Sequence, residues 1–359
     1  MSNGNKVVHV VGTGTIGEPL IGLLVSMKEP LGIDEVTFHK RTPLLTDRSK
    51  VVNLIKRGAK LAVDEDARAG FAELDIKPDG ETHEAFKNAS VVIDCTPSKV
   101  GLANKAQFYE KYLSNTLGFI AQGSEFGFGK MYARGINDAA LAVGEDRYIH
   151  VVSCNTHNLS LLVDLVALKG GGPDNLEQAR FLCIRRANDI SQDGSFVPAP
   201  QVGTHKDEFG THHARDAYHL FKTLGYELKN LFSSAMKVNS QYMHTIWFSI
   251  RVKNPTTTEE ILRRFEECER AAVTHKKTSN AVFSFGRDYG HYGRLLNETV
   301  LVAPSLAVRD NGREVVGFCF TPQDGNSLLS SVAAASWLLD PEKYNERVQC
   351  LRPYFFDEV

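Results

Sequence analysis

Long apolar runs are missing from this chain of 359 residues. Stretches such as Leu159–Leu168 are short and broken by Asp164, well under the roughly 20 apolar residues that a membrane-spanning helix needs. No membrane partner is expected. An excess of one charge sign is missing too: Lys and Arg number 41, Asp and Glu 43, for a formal net charge of -2. Nothing global therefore attracts nucleic acid or an anionic surface. Cysteine is sparse. Cys95, Cys154, Cys183, Cys268, Cys319 and Cys350 show neither metal-type pairs nor a disulfide framework, so no metal is expected and the cytoplasm is the expected location. The opening residues Met-Ser-Asn-Gly-Asn-Lys carry no apolar signal-like stretch. There is no internal repeat and no low-complexity tract. What remains, 42% hydrophobic and 23% charged residues, is the balance of a globular protein long enough for two domains.

The chain opens with Lys6-Val7-Val8-His9-Val10-Val11, a near-continuous apolar strand of the kind buried in a parallel sheet. Gly12-Thr13-Gly14-Thr15-Ile16-Gly17 follows at once, then Leu20 to Met27 in helical spacing. Between a strand and a helix, such glycines permit a tight turn and close backbone approach to a pyrophosphate. Pro19 suits the first helical turn, where no N–H partner is lost. The second strand, Glu35-Val36-Thr37-Phe38-His39, ends in Lys40-Arg41-Thr42. Two cations and a hydroxyl stand where an NAD site usually places Asp or Glu, which favours the 2′-phosphate of NADP, with NAD possible. Ala89–Asp94 and Leu117–Ala121 read as further buried strands, ending in Cys95-Thr96-Pro97-Ser98 and Gln122-Gly123-Ser124. Asn104–Leu113 reads as a helix, and residues 49–84 as helices and loops. This alternation predicts an α/β fold: an N-terminal Rossmann dinucleotide-binding domain over residues 1–153.

An apolar lead-in then runs into Ser153-Cys154-Asn155-Thr156-His157-Asn158, with a helix over Leu159–Leu168. A thiol at a strand-to-helix turn meets free N–H groups that favour its anion, and the thiolate is the form that attacks carbonyls. Cys95 reads as packing or cofactor wall rather than a second nucleophile.

Beyond Gly170-Gly171-Gly172-Pro173 the pattern changes to longer, more alternating strands: Ala179–Arg186, Tyr226–Asn239, Met243–Val252, Val300–Arg309 and Val315–Phe320. Asp310-Asn311-Gly312-Arg313 is a hairpin signal. Thr256–His275 reads as a helix with a Thr257/Glu260 capping box, and Asn326–Leu339 as an apolar helix that packs back on the first domain. The expectation is an α+β catalytic domain with a mostly antiparallel sheet over residues 154–323, and residues 324–359 completing the first domain. Thr211-His212-His213 precedes a helix over Ala214–Leu224, and with Arg185-Arg186 it reads as an anion site. His205 and His219 lie nearby, but no Cys, Asp or Glu completes a familiar metal-ligand spacing.

Taken together, Gly12–Gly17 with Lys40-Arg41-Thr42, Asp94–Pro97, Gln122-Gly123, Val151–Thr156, Arg185-Arg186-Ala187, Thr211-His212-His213, Met243-His244 and Gln323 resemble, in order, the archaeal-type (type II) glyceraldehyde-3-phosphate dehydrogenases. The Ser-Cys-Asn-Thr and Arg-Arg-Ala blocks are the specific ones. The resemblance implies a cytoplasmic homotetramer that binds NADP or NAD, a phosphorylated aldehyde and inorganic phosphate. By position it implies Cys154 as nucleophile and His244 as catalytic histidine. Arg186 and Gln323 would contact the cofactor beside the glycine loop, Thr96 and Gly123, while Ser153, Asn155, Thr156, His213 and Ala214 match the substrate-phosphate region. Departures fall at His157-Asn158, where the family has Thr-Gly, at Thr211 and Ala214 of its Ser-His-His-Gly, and at Asp324 of its Gln-Glu. The insert 188–209 is a further difference. Alternatives are a semialdehyde-type reductase of acyl phosphates, which would want an arginine reading a carboxylate, and an NADP-binding sensor without turnover.

Overall fold

The computed structural model describes residues 4–189, 194, 196–322 and 324–359. They form two compact units: the chain up to Lys130 with Leu141–Val151 and Leu328–Arg352, and Met131–Ala140 with Val152–Ser327 and Pro353–Val359.

The first unit is built on strands β1 (Val7–Val11), β2 (Glu35–His39), β3 (Lys60–Val63), β4 (Gly80–Glu81), β5 (Val91–Asp94), β6 (Gly118–Gln122) and β8 (Tyr148–Val151); β7 (Lys130–Tyr132) spans the point where the chain passes into the second unit. The order β4-β3-β2-β1-β5-β6-β8 is parallel throughout. Every residue of β1, β5 and β6 is buried, which explains their unbroken apolar runs. Helices α1 (Gly17–Ser26), α2 (Lys28–Leu31), α3 (Arg48–Lys56), α4 (Arg68–Glu73), α5 (Thr82–Asn88) and α6 (Val100–Gln107) connect them. The strand order reverses between β1 and β5, the crevice where doubly wound sheets bind nucleotides. This is the expected Rossmann-like architecture. Two details differ. Residues 49–84 contain β3 and β4, strands too short for periodicity to reveal, and the helix expected at Asn104–Leu113 runs from Val100 to Gln107 before a 3-10 turn at Tyr109–Tyr112.

The second unit carries β9 (Leu176–Arg185), β10 (Gln201–Val202), β11 (Leu231–Lys237), β12 (His244–Val252), β13 (Ala271–Thr274), β14 (Thr299–Val302), β15 (Ala307–Arg309) and β16 (Glu314–Thr321). The order is β10-β11-β9-β12-β16-β14-β13, with β15 on β16. Most pairs are antiparallel, but β9/β11 and β13/β14 are parallel. Helices α7 (Cys154–Val166), α8 (His212–Lys222) and α9 (Thr258–Glu266) cover one face, where Leu162, Val166, Phe221 and Phe265 meet Phe181, Phe248 and Ile250. α10 (Ser279–Tyr289) follows; α11 (Gly325–Leu339) begins in this unit and continues in the first, to which α12 (Tyr344–Val348) also belongs.

Three expected elements are corrected. The helix read over Thr256–His275 ends at Glu266, and Ala271–Thr274 is the buried strand β13; its four-residue apolar run is ambiguous between the two states. Thr257 does cap α9, accepting from the Glu260 N–H at 3.2 Å. Val300–Arg309 is broken by a 3-10 turn holding Pro304, which cannot donate to a ladder. Tyr226–Asn239 is strand only over Leu231–Lys237. The hairpin is as expected, Asp310, Asn311 and Gly312 taking φ of 50°, 53° and 87° between β15 and β16.

Phe119 sits fully buried between Tyr109 (centroids 4.8 Å) and Tyr148 (5.4 Å). Phe119→Ala should therefore cost about 3–5 kcal/mol, read as a lower urea midpoint for the unfolding of the first unit. A midpoint unchanged from wild type would contradict this packing.

Candidate active site

In the first unit, Gly12 leaves β1 with φ 96° and its N–H donates to the His39 carbonyl (3.1 Å). A Cβ here would stand 3.1 Å from the Cys95 carbonyl oxygen, and one on Gly17 only 2.1 Å from that of Gly12. At Gly14 a Cβ would meet nothing within 4 Å. Two glycines thus close the turn while the middle one leaves its backbone open, which fits a dinucleotide pyrophosphate at the start of α1. Thr15 is buried and Ile16 leads into the helix. Asp94, buried, accepts from the Thr96 N–H (2.9 Å), Asn104 Nδ2 (2.9 Å), and the Thr96 and Tyr109 hydroxyls, so it fixes the β5 end rather than facing a ligand. Gly123 takes φ 73°, its N–H on the Val151 carbonyl (3.0 Å) and open space where a Cβ would be. At the β2 end, Lys40 Nζ is held 2.5 Å from Asp47, which Lys50 also approaches (3.3 Å). Arg41 and Thr42 are exposed.

In the second unit α7 begins at the cysteine itself, earlier than the expected Leu159. Ser153 caps it: its Oγ accepts from the Thr156 N–H (3.4 Å), lies 2.9 Å from Thr156 Oγ1 and 3.4 Å from His213 Nδ1. Thr156 Oγ1 also donates to the His213 carbonyl (3.5 Å). Thr321, the last residue of β16, ties sheet to helix. Its hydroxyl donates to Asn155 Oδ1 (3.1 Å) and accepts from Asn158 Nδ2 (2.9 Å). The departures His157 and Asn158 are accounted for structurally. His157 Nδ1 donates to the Ser153 carbonyl (3.0 Å), and Asn158 accepts from the Cys319 thiol (3.3 Å).

Antiparallel register sets His244 opposite Thr321, so the ends of β9, β12 and β16 converge on this helix start. Backbone N–H of Arg186 donates to His244 Nδ1 (3.0 Å). Nδ1 is therefore the unprotonated nitrogen and the neutral ring carries its hydrogen on Nε2. The Arg186 guanidinium pairs with Asp324 (2.7 Å) and Asp189 (3.1 Å). Arg186 is itself buried, its charged form held by these two carboxylates. The Asp324 carboxylate is among the charges acting on the Cys154 thiol. No hydrogen bond joins the thiol and the imidazole among the described residues; they share Arg186 and Asp324 as neighbours.

The thiol pKa is not lowered as its helix position predicts. Burial, then the Asp324 carboxylate, push it well up, outweighing Arg186. Asp324 itself is held at about 2, burial being overcome by the Arg186 guanidinium. Burial likewise keeps the nearby imidazoles neutral: His212 falls to about 4, and His213 and His244 lie well below 6.5.

Around the Ser153 cap, His212 and His213 stand with ring centroids 3.9 Å apart at the start of α8, and Arg185 is among the charges acting on both. Arg185 Nε is buried with no hydrogen-bond partner among the described residues. Ala214 anchors its backbone N–H on Ser233 Oγ (3.1 Å). The Ser153 and Thr156 hydroxyls, the neutral His213 ring and the starts of α7 and α8 thus meet in one place, an arrangement that suits an anion.

Gln323 lies outside the described residues. In the sequence Asp324 stands out only as a departure, and Asn326 carries no signal beyond a polar residue in an apolar helix. Asn326 Nδ2 donates to the carbonyls of Cys154 (2.9 Å) and Glu298 (3.2 Å).

No family model matches the chain. It is similar to curated proteins named glyceraldehyde-3-phosphate dehydrogenase from several archaea. That of Metallosphaera sedula is 28% identical over 317 residues, spanning 85% of this chain and 84% of the relative. The Methanobacterium bryantii protein is 28% identical over 323 residues (85% and 86%), and the Pyrobaculum islandicum one 26% over 312 (85% and 84%). The resemblance carried by the motifs therefore extends over most of the chain.

A histidine whose folded pKa lies below its unfolded value contributes stability that is present above about 6.5 and is lost as pH falls toward the folded pKa. Between pH 6.5 and 4.5 the wild type should lose stability relative to His212→Gln, by up to about 1.4 kcal/mol per pH unit. Urea melts across that range would show it; parallel curves would mean that His212 is not held neutral.

Proposed function

We propose that this relative of the archaeal glyceraldehyde-3-phosphate dehydrogenases is itself a phosphorylating aldehyde dehydrogenase that acts on glyceraldehyde 3-phosphate. The observation that carries the reading is one helix start: Cys154 opens α7, and within the same turn Ser153 and Thr156 join His213 of α8. A thiol and an anion cradle so close together suit an aldehyde with a phosphate tail, or inorganic phosphate arriving at the acyl carbon.

In the proposed sequence, the Cys154 thiolate attacks the aldehyde carbon and forms a thiohemiacetal. Its oxyanion is stabilised by the Nε2–H of His244, the tautomer that the Arg186 N–H enforces, and by the Cys154 N–H at the helix start. Oxidation of that adduct to an acyl thioester is the chemistry a bound nicotinamide supplies, as hydride acceptor. Phosphate, held by Thr156, His213 and Arg185, then attacks the thioester carbon, releasing an acyl phosphate and the thiolate.

For the cofactor, we assign the 2′-phosphate of NADP to Arg41 and Thr42. They are exposed at the end of β2, while Lys40 is already engaged by Asp47. An assembly of several copies of this chain, a homotetramer by resemblance, is supported by the sheet face opposite the helices. There Leu182, Trp247 and Phe318 align across β9, β12 and β16, and Phe318 is 39% exposed.

Cofactor reduction at 340 nm with glyceraldehyde 3-phosphate and phosphate should be robust for wild type and lost in Cys154→Ser, because an alcohol is a far weaker nucleophile at neutral pH. No turnover by wild type with either cofactor would overturn the reading. Arg41→Ala should raise the KM for NADP about tenfold or more, the worth of one charge-assisted contact, and leave NAD unchanged. Equal losses for both cofactors would refute that assignment.

A further inference from the structure

We infer that Asn326 is a positioning residue for the nucleophile: its side-chain amide, seated on the main chain of the buried Glu298–Arg270 pair, holds the Cys154–Asn155 peptide. The thiol and the Cys154 N–H thereby keep one geometry toward an incoming aldehyde. This rests on the reading of Cys154 as nucleophile. Asn326 stands in the first turn of α11 and is fully buried. Its Nδ2 donates to the carbonyl of Cys154 at 2.9 Å and to that of Glu298 at 3.2 Å. Both acceptors are carbonyl oxygens, so the amide has to present its nitrogen to them. The cost lies at the other end of the amide: Asn326 Oδ1 is buried with no hydrogen-bond partner among the described residues. A buried acceptor without a donor is destabilising, and only the two Nδ2 bonds stand against that cost.

The clamp has a rigid base. Gly325 brings the start of α11 against the main chain that leads into Glu298: a Cβ there would stand 1.6 Å from the Leu295 carbonyl oxygen. The Glu298 N–H donates to the Arg270 carbonyl (2.6 Å), and its carboxylate, fully buried, pairs with the Arg270 guanidinium (2.8 Å). Arg270 also donates to the Arg134 carbonyl (3.3 Å) and stands 3.9 Å from Asp164, further along α7. The helix that opens with Cys154 is thus tied to one buried pair at two levels, through Asn326 at its first turn and through Asp164 beyond. The neighbouring side chains of that turn have other partners: Ser153 and Thr156 engage His213, and Asn155 and Asn158 engage Thr321. Those bonds set side chains, whereas the Asn326 bond sets the main chain of the nucleophile itself. A helix ladder uses one lone pair of the Cys154 carbonyl, and Asn326 takes the second. Fixing that peptide fixes where the sulphur and the adjacent N–H point. A displacement of about 1 Å at a reacting group costs on the order of a hundredfold in rate.

The test compares wild type with Asn326→Leu, which removes both donors at similar volume, with Asn326→Ala, and with Asn297→Ala. Asn297 is a buried asparagine beside Glu298 whose amide ties the Glu269 and Phe356 carbonyls (3.3 and 3.1 Å) and the Phe356 N–H (3.1 Å), all outside α7. Both Asn326 variants should lower kcat for glyceraldehyde 3-phosphate about tenfold to a hundredfold with KM within about twofold, since Ser153, Thr156 and His213 are left in place. Asn297→Ala should lower the urea midpoint and leave kcat within about twofold. Iodoacetamide, followed by peptide mass spectrometry, should label Cys154 in the Asn326 variants as fast as in wild type, because alkylation needs a thiolate but no positioned oxyanion donor. Amide exchange gives a readout without substrate. The Asn158 N–H, which an α-helix directs to the Cys154 carbonyl, should exchange in wild type as slowly as the middle of α7, and about tenfold or more faster in the Asn326 variants. Wild-type kcat in both Asn326 variants would overturn the inference, as would a fall in labelling that matches the fall in kcat. So would fast Asn158 exchange in wild type, a measurement that needs no variant. A wild type that fails to oxidise glyceraldehyde 3-phosphate would refute the proposed function, while the exchange rates would still decide whether Asn326 holds Cys154.

Discussion

The second unit depends on one buried ion pair, Arg186 with Asp324. Two charges taken out of water gain little net stability from each other, but removing one partner strands the other and costs about 3–5 kcal/mol. The pair joins the end of β9 to the segment between β16 and α11, two stretches 138 residues apart. The backbone N–H of the same arginine fixes the tautomer of His244, and the same carboxylate is among the charges that push the Cys154 thiol up. Position, protonation and charge of the candidate catalytic groups are therefore not independent quantities.

Register does the rest of the assembly. His244 begins β12 and Thr321 ends β16, and their pairing brings strand ends to the first turn of α7. Asn155 and Asn158 lock that turn to Thr321, and Asn326 holds the Cys154 carbonyl from another direction. Because side chains alternate along a strand, a one-residue slip of β12 would move His244 to the opposite face. The geometry of the candidate site is thus inherited from sheet pairing, with the apolar contacts of Phe181, Phe248 and Ile250 keeping the register.

Much of this was legible in the sequence, and the misses have causes. The glycine loop, the buried parallel strands and Cys154 at a helix start are local signals, each read from a few adjacent residues. Asp310-Asn311-Gly312 likewise announced its turn. Strands β3 and β13 were missed or misread because four residues cannot distinguish periods of 2 and 3.6. Asp324 escaped for another reason. Its partner Arg186 lies 138 residues away, and a lone acid after a strand carries no sign of it. The depressed imidazoles and raised thiol were equally invisible, since burial decides them.

The central claim is that Cys154 carries the acyl group during turnover. Intact-mass and peptide analysis after mixing the protein with glyceraldehyde 3-phosphate and oxidised cofactor, with inorganic phosphate left out, tests it most directly. The account predicts an adduct of one phosphoglyceroyl group per chain, confined to the Cys154 peptide and discharged when phosphate is added. Turnover with no adduct, or an adduct on Cys95 or another cysteine that phosphate fails to release, would contradict it.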